Sequence, residues 1–171
     1  MSETAPVRTM ISFKVGDQRF NHRVAAIAMR NGHVLVCREE DDDYVMLPGG
    51  RVELGESSVI ALAREAVEEL GVEAPIERLL FTEENFFERE GETFHQIGIY
   101  YLVVLPDDFP FVVGSPSLVR FDEGLELKFS WVPATEEALT AVNLLPLWLR
   151  GALETLEDGS RHVVVDERPR G

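Results

Sequence analysis

Apolar and polar residues alternate at a period of two over several short runs, and apolar residues recur at helical spacing in only a few places, which predicts a strand-rich chain with few helices. Residues 10–15 and 18–21 flank Gly16-Asp17, and residues 24–29 and 34–37 flank Asn31-Gly32, so two hairpins are expected near the N-terminus. An acidic loop, Asp41-Asp42-Asp43, leads to a short strand at 44–47 that stops at Pro48-Gly49-Gly50. Ser57 or Ser58 is placed to cap a helix that runs to Leu70 and ends at Gly71. Strands are expected at 76–82, 85–88 and 94–105, the last two turning at Gly91, and a loop at 106–116. A strand at 127–132 and a short helix from Thr135 to Leu139 come next. A last helix, about 146–156, aligns Leu145, Trp148, Leu149, Ala152, Leu153 and Leu156 on one stripe, and the tail from Asp166 is expected to fray. Strands and helices without regular alternation predict an α/β chain, a mixed sheet with helices over its faces. One domain over 1–171 is expected, with 1–22 an N-terminal extension and 140–171 a C-terminal helix and tail; no repeat or linker interrupts it.

Composition changes this picture in two ways. With 171 residues and 45% hydrophobic content the chain buries a core without disulfides, and its single cysteine, Cys37, offers neither a disulfide partner nor a zinc cluster, which points to a reducing compartment. Thirty-one acidic against 16 basic residues leave a net charge of −15, which repels polymeric nucleic acid and admits a small anionic ligand only where divalent cations mediate. Residues 1–9 carry Glu3 and Pro6 and no apolar core, and no apolar run approaches the ~20 residues of a membrane span, so a cytoplasmic protein without a membrane partner is expected.

Chemistry concentrates on the helix that starts at Ser57. Glu65, Glu68 and Glu69 stand at i, i+3 and i+4 and share one face, with Val59, Ala63, Ala66, Val67 and Leu70 expected to form the core stripe opposite. Acid-rich helix faces are ordinarily solvated surface. Three like charges this close cost stability, however, and hard dications with oxygen ligands are their natural relief. The flanking residues favour the second reading. From 50 to 72 the chain runs G-x5-E-x7-R-E-A-V-E-E-L-G-V. This resembles the Nudix box, G-x5-E-x7-R-E-U-x-E-E-x-G-U with U aliphatic, at every defined position. Chance agreement at its seven fixed glycine, glutamate and arginine positions is on the order of 10⁻⁸ per starting point.

The resemblance implies a MutT-like Nudix hydrolase: an α/β/α sandwich with a mixed sheet, here with an N-terminal hairpin extension, whose box holds Mg²⁺ or Mn²⁺ against a diphosphate. Carried onto this sequence, Glu65, Glu68 and Glu69 become metal ligands with a carbonyl of Gly49 or Gly50, while Arg64 and Glu56 support them. A base for the attacking water is expected at Glu65 or, as in relatives that use a glutamate outside the box, at Glu123 or Glu126. Outside the box the resemblance spans roughly 24–138, and at Gln96, where relatives often carry glutamate after histidine, this chain departs. Arg23, Arg38 and Arg51 are candidates to meet phosphates, and Phe87 and Tyr101, with Phe81 and Phe86, to offer a base an aromatic surface. The substrate expected is a nucleotide or nucleoside diphosphate-linked small molecule. A catalytically silent nucleotide sensor is the contrasting reading, and an isopentenyl diphosphate isomerase a remote one. The hairpin at 10–21 is available either to pair across a homodimer or to cap its own sheet.

Overall fold

A computed structural model describes residues 7–170; the first six residues of the N-terminal segment and Gly171 of the tail lie outside the described residues. The described residues form nine strands and three short helices, the first continued by a π turn at Ala66–Leu70: β1 (Ser12–Val15), β2 (Gln18–Arg30), β3 (His33–Glu39), β4 (Gly49–Arg51), α1 (Ser58–Glu65), β5 (Ile76–Arg89), β6 (Glu92–Val103), β7 (Leu118–Asp122), β8 (Leu125–Pro133), α2 (Glu136–Ala141), α3 (Leu149–Ala152) and β9 (Arg161–Asp166). The strands join in the order β7-β8-β3-β2-β6-β5-β9, with β1 and β4 both added to β2. β2–β6 and β5–β9 are parallel and the other pairs antiparallel, so the sheet is mixed.

Period-two alternation divides the interior into two layers. Along β2, Val24, Ala26 and Ala28 face one core with Tyr101 and Val103 of β6, and Ala61 and Leu62 of α1 close it with Ala66 and Leu70 of the turn that follows. Ala25, Ile27 and Met29 face the other, with Tyr100 and Leu102, and α2 and α3 close that one with Leu139, Leu149 and Leu153. The result is the expected α/β/α arrangement. Leu62, almost completely enclosed, is a position where truncation to alanine costs about 2–5 kcal/mol. No helix among the described residues is long and apolar enough to cross a membrane.

Several elements differ from the sequence pattern. Residues 18–21 and 24–29 form one strand, because β6 pairs with β2 continuously from Gln18 to Ala28 and carries His22 and Arg23 through. Residues 76–82 and 85–88 likewise merge into β5, whose pairing with β6 absorbs register shifts near its start. Residues 44–47 make only isolated bridges, Met46 to Cys37 and Val45 to Leu144, and the strand falls just after them at β4. The last helix shrinks to Leu149–Ala152, though Leu149 and Leu153 still bury as the stripe requires. β7 and β9 were not anticipated. The tail does not fray at 166–168: β9 runs to Asp166, the Glu167 amide donates to the Phe86 carbonyl, and Arg168 pairs with Asp166. β1 turns back on β2 and caps its own sheet.

Candidate active site

The N-cap of α1 is Ser57, whose side chain accepts from the Ile60 amide at 3.2 Å. The helix widens at 66–70 into a single π turn and stops at Gly71 with a left-handed φ of 71°. Its core stripe is not the one expected. Ala61, Leu62, Glu65, Ala66 and Leu70 are buried, whereas Val59, Ala63 and Val67 face solvent. The acidic face therefore abuts the core and does not oppose it, so Glu65 and Glu69 enter the protein beside the loop that carries β4.

Contact with that loop is close. A Cβ on Gly50 would lie 2.3 Å from Glu65 Oε1, so only glycine lets the strand lie against this carboxylate. The Gly49 amide donates to Glu69 Oε2 at 3.1 Å. Arg64 organises the rest: its Nε and Nη2 donate to the two oxygens of Glu56 at 2.7 and 2.9 Å, its Nη1 to Glu65 at 2.8 Å and Glu68 at 3.3 Å, and Nη2 also to the Arg51 carbonyl at 3.2 Å. This single guanidinium ties α1 to the loop before it by a bidentate grip. The hydrogen bonds from Arg64 hold the Glu56 carboxyl below the usual range, and the carboxylates in turn raise Arg64 further. Burial acts oppositely on the ligand candidates: it raises Glu65, against the pull of Arg64, and pushes Glu69 up to about 8 with the Glu65 charge adding to the push.

These carboxyls suit a dication on chemical grounds. The donor set is oxygen only, two of its members are enclosed at a cost to their charged forms, and among the described residues Glu69 has no ion-pair partner. Among the described residues no three acidic, histidine or cysteine groups converge, and Glu65 and Glu68 lean on Arg64.

Two hollows meet beside this cluster, sharing Arg23 and Met46. The smaller is lined by Gly49 and Glu69. The larger, about 640 Å³, is lined by Arg19, Arg23, Arg51, Phe87, Phe94 and Gln96. Register brings these residues together: Arg23 lies opposite Arg51 on β4 and Gly98 on β6, Gln96 opposite Asn21 and Asn85, and Phe94 opposite Arg19 and Phe87. Among the described residues neither Arg23 nor Arg51 forms an ion pair, and burial, with the charges of Arg23 and Arg19 beside it, lowers Arg51. Arg23 also faces the charges of Glu65 and Glu69, but two adjacent half-buried guanidinium groups without a direct ion-pair partner leave room for an anion.

Of the other candidates, Glu123 turns between β7 and β8 and is bridged by Arg8, at 3.3 Å, to Glu68 at 2.9 Å, so it reaches the cluster's edge. Glu126 does not: it pairs with Lys128 at 2.8 Å, and its own amide donates to Glu40, because strand alternation from the turn directs it elsewhere. Arg38 braces the preceding loop through the carbonyls of Asp42 and Tyr44 and does not line the larger cavity. Tyr101 is buried toward α1 and hydrogen-bonds Ser58 at 2.7 Å, a packing role. Phe81 is likewise core, and Phe86 stacks on His95. Sequence reasoning missed Asp122, whose charge acts on Glu69, together with Arg19, Phe94 and Met46. The Glu123-Gly124 turn ahead of the strand at 125–133 was the available sign of β7.

A NUDIX domain model matches residues 20–150. Among solved structures, a MutT protein from Bacillus halodurans is similar with 16% identity and a TM-score of 0.58 over 83% of this chain and 89% of that one. A MutT protein from Methanosarcina mazei Go1 is similar with 22% identity and a TM-score of 0.57 over 79% and 91%, and an ADP-ribose pyrophosphatase from Streptococcus suis with 14% and 0.52 over 85% and 98%. At these identities the likeness is one of fold. No curated protein matches the chain.

Proposed function

Because this chain belongs to the Nudix family, for which pyrophosphate hydrolysis is the characteristic reaction, we propose that it cleaves the diphosphate linkage of a nucleotide-like small molecule with the help of Mg²⁺ or Mn²⁺. One observation carries the reading: the enclosed carboxyls of Glu65 and Glu69 meet Gly49 and Gly50 at the start of β4, where an arginine-lined cavity opens beside the hollow that holds Glu69, with Arg23 common to both. Glu65, Glu68, Glu69 and the Gly49 carbonyl would hold the cation. When bound, it offsets the charge of the diphosphate, acidifies a water and stabilises the departing phosphate.

The protein's own groups do the positioning. Arg64, fixed by Glu56, sets the orientation of Glu65 through Oε1. Glu65 Oε2 has no protein donor among the described residues, and burial raises this carboxyl, the direction that strengthens a base. It takes the proton of the attacking water; the new P–O bond forms as the bond to the bridging oxygen breaks, and that oxygen leaves with the electron pair on the second phosphate. Glu123 is the alternative base, held at the edge by Arg8. Arg23 and Arg51 receive substrate phosphate, and Phe87 flanks the remainder.

The test is a panel of nucleoside triphosphates, nucleoside diphosphate sugars and dinucleoside polyphosphates with Mg²⁺ or Mn²⁺, with products identified in ¹⁸O-labelled water. A phosphomonoester and a second phosphorylated product are expected, and Glu69→Gln should lose at least about 100-fold in kcat. Binding without turnover across the panel would replace the hydrolase with a nucleotide sensor.

A further inference from the structure

Glu83, in the middle of β5, is completely enclosed and forms no ion pair among the described residues. Four donors satisfy it instead. Trp148 Nε1 of the α3 segment donates to Oε1 at 2.7 Å and Asn85 Nδ2 to the same oxygen at 3.2 Å; the Tyr100 hydroxyl at 3.1 Å and Gln96 Nε2 at 3.2 Å donate to Oε2. Gly98, directly across the register on β6, makes the room: a Cβ there would lie 2.5 Å from Glu83 Oε2. None of this is needed to hold α3 alone, since Trp148 supplies only one of the four bonds.

A carboxylate only accepts, so every partner must turn a donor toward it. For Gln96 the consequence reaches the cavity. Its NH₂ is committed to Glu83, inverting the amide would set two acceptors face to face in a buried place, and its carbonyl Oε1 is left for the space it lines with Arg23, Arg51, Phe87 and Phe94. The aromatic rings suit the flat face of a base and the arginines suit its phosphates.

We infer that Glu83 is a positioning residue that presents Gln96 Oε1 to the cavity as a fixed hydrogen-bond acceptor, and that the site thereby selects the 6-amino purine adenine over its 6-oxo counterpart hypoxanthine and the 4-amino pyrimidine cytosine over its 4-oxo counterpart uracil. This rests on the nucleotide-hydrolase reading and adds the determinant of its base preference. In the pose an amino base adopts, an oxo base would set its carbonyl against Oε1 and could satisfy that acceptor only by shifting to offer its ring N–H, and a site built to bond one group disfavours an analogue that leaves its buried polar atoms unpaired.

The experiment compares kcat/KM for matched pairs, the adenosine against the inosine form and the cytidine against the uridine form of each nucleotide that is turned over. The amino member is expected to lead by at least roughly tenfold, mostly in KM. Glu83→Gln turns an NH₂ toward Gln96, inverts that amide and should move the preference toward the oxo member; Gln96→Leu, which does not disturb Glu83's other three donors, should abolish it. A merely structural role for Glu83 would shift the melting temperature and leave the ratio unchanged. Equal values for both members in the unaltered protein, or a ratio untouched by Gln96→Leu, overturn the inference, and the second variant suffices if Glu83→Gln fails to fold. Absence of all turnover would sink the hydrolase reading separately, while dissociation constants for the same pairs by calorimetry would still show the preference or its lack.

Discussion

Replacing Gly50 with alanine tests the site through a single methyl group. The added Cβ would lie 2.3, 2.5 and 2.7 Å from Oε1, Cδ and Oε2 of Glu65, against an ordinary separation of about 3.5 Å. The carboxyl must therefore retreat by about 1 Å, which also strains its 2.8 Å bond to Arg64. The backbone at Gly50 is of a kind any residue adopts, and what must move is the end of a side chain, so the cost in stability stays within about 1–2 kcal/mol. Catalysis is less tolerant: a displacement of ~1 Å in a reacting group costs roughly 100-fold, about 2.7 kcal/mol of barrier. The assay is kcat with Mg²⁺ on the best nucleotide of the panel, alongside a thermal melt, in which a fall of about 3–6 °C is expected. A folded Gly50→Ala protein within about threefold of the unaltered rate would refute the claim that Glu65 acts from this position, since no such displacement would leave a base or ligand competent.

Removing the Arg64 side chain leaves Glu56, Glu65 and Glu68 facing one another. Urea denaturation of Arg64→Ala should show a loss of about 2–3 kcal/mol, and Arg64→Lys should recover less than half, because an ammonium cannot reproduce the bidentate fork. Stability of the metal-free protein should depend on pH through Glu69. A carboxyl raised from 4.5 to about 8 binds its proton more tightly when folded, so its stabilising contribution is complete below about pH 4.5 and is lost as pH rises through 8. Melts in EDTA at pH 6 and 8.5 should therefore differ more for the unaltered protein than for Glu69→Gln, and equal differences would contradict the enclosure of this carboxyl.

Much of this protein is local information. The hairpin at Gly16-Asp17, the helix between Ser57 and Gly71, and the spacing of Glu56, Arg64, Glu65, Glu68 and Glu69 each depend on residues near one another in the chain, where periodicity, turn chemistry and caps act directly. That was enough to indicate the family and the acidic cluster. It was not enough to say which face of the helix the core takes: Ala61 and Leu62 outrank Val59 and Val67 only because Val24, Ala26 and Ala28 of β2 and Tyr101 and Val103 of β6 pack on that side. Nor did periodicity find β7 and β9, whose pairing partners lie across a turn and across the sheet.

The cavity belongs wholly to tertiary structure. Arg23, Arg51, Gln96 and Phe87 come from four strands and share a place only because β2, β4, β5 and β6 pair in one register; a slip of one residue would turn each of them to the opposite face. Arg38 and Tyr101 have the same chemistry as their neighbours and were drawn elsewhere by backbone carbonyls and by Ser58. Glu83 looks in sequence like any exposed acid on a strand, and only the meeting of Trp148, Tyr100, Asn85 and Gln96 around it makes it an interior group. Residues within one helix can announce a chemistry because their spacing is set by covalent geometry, whereas residues on separate strands acquire theirs from register, which the whole core decides.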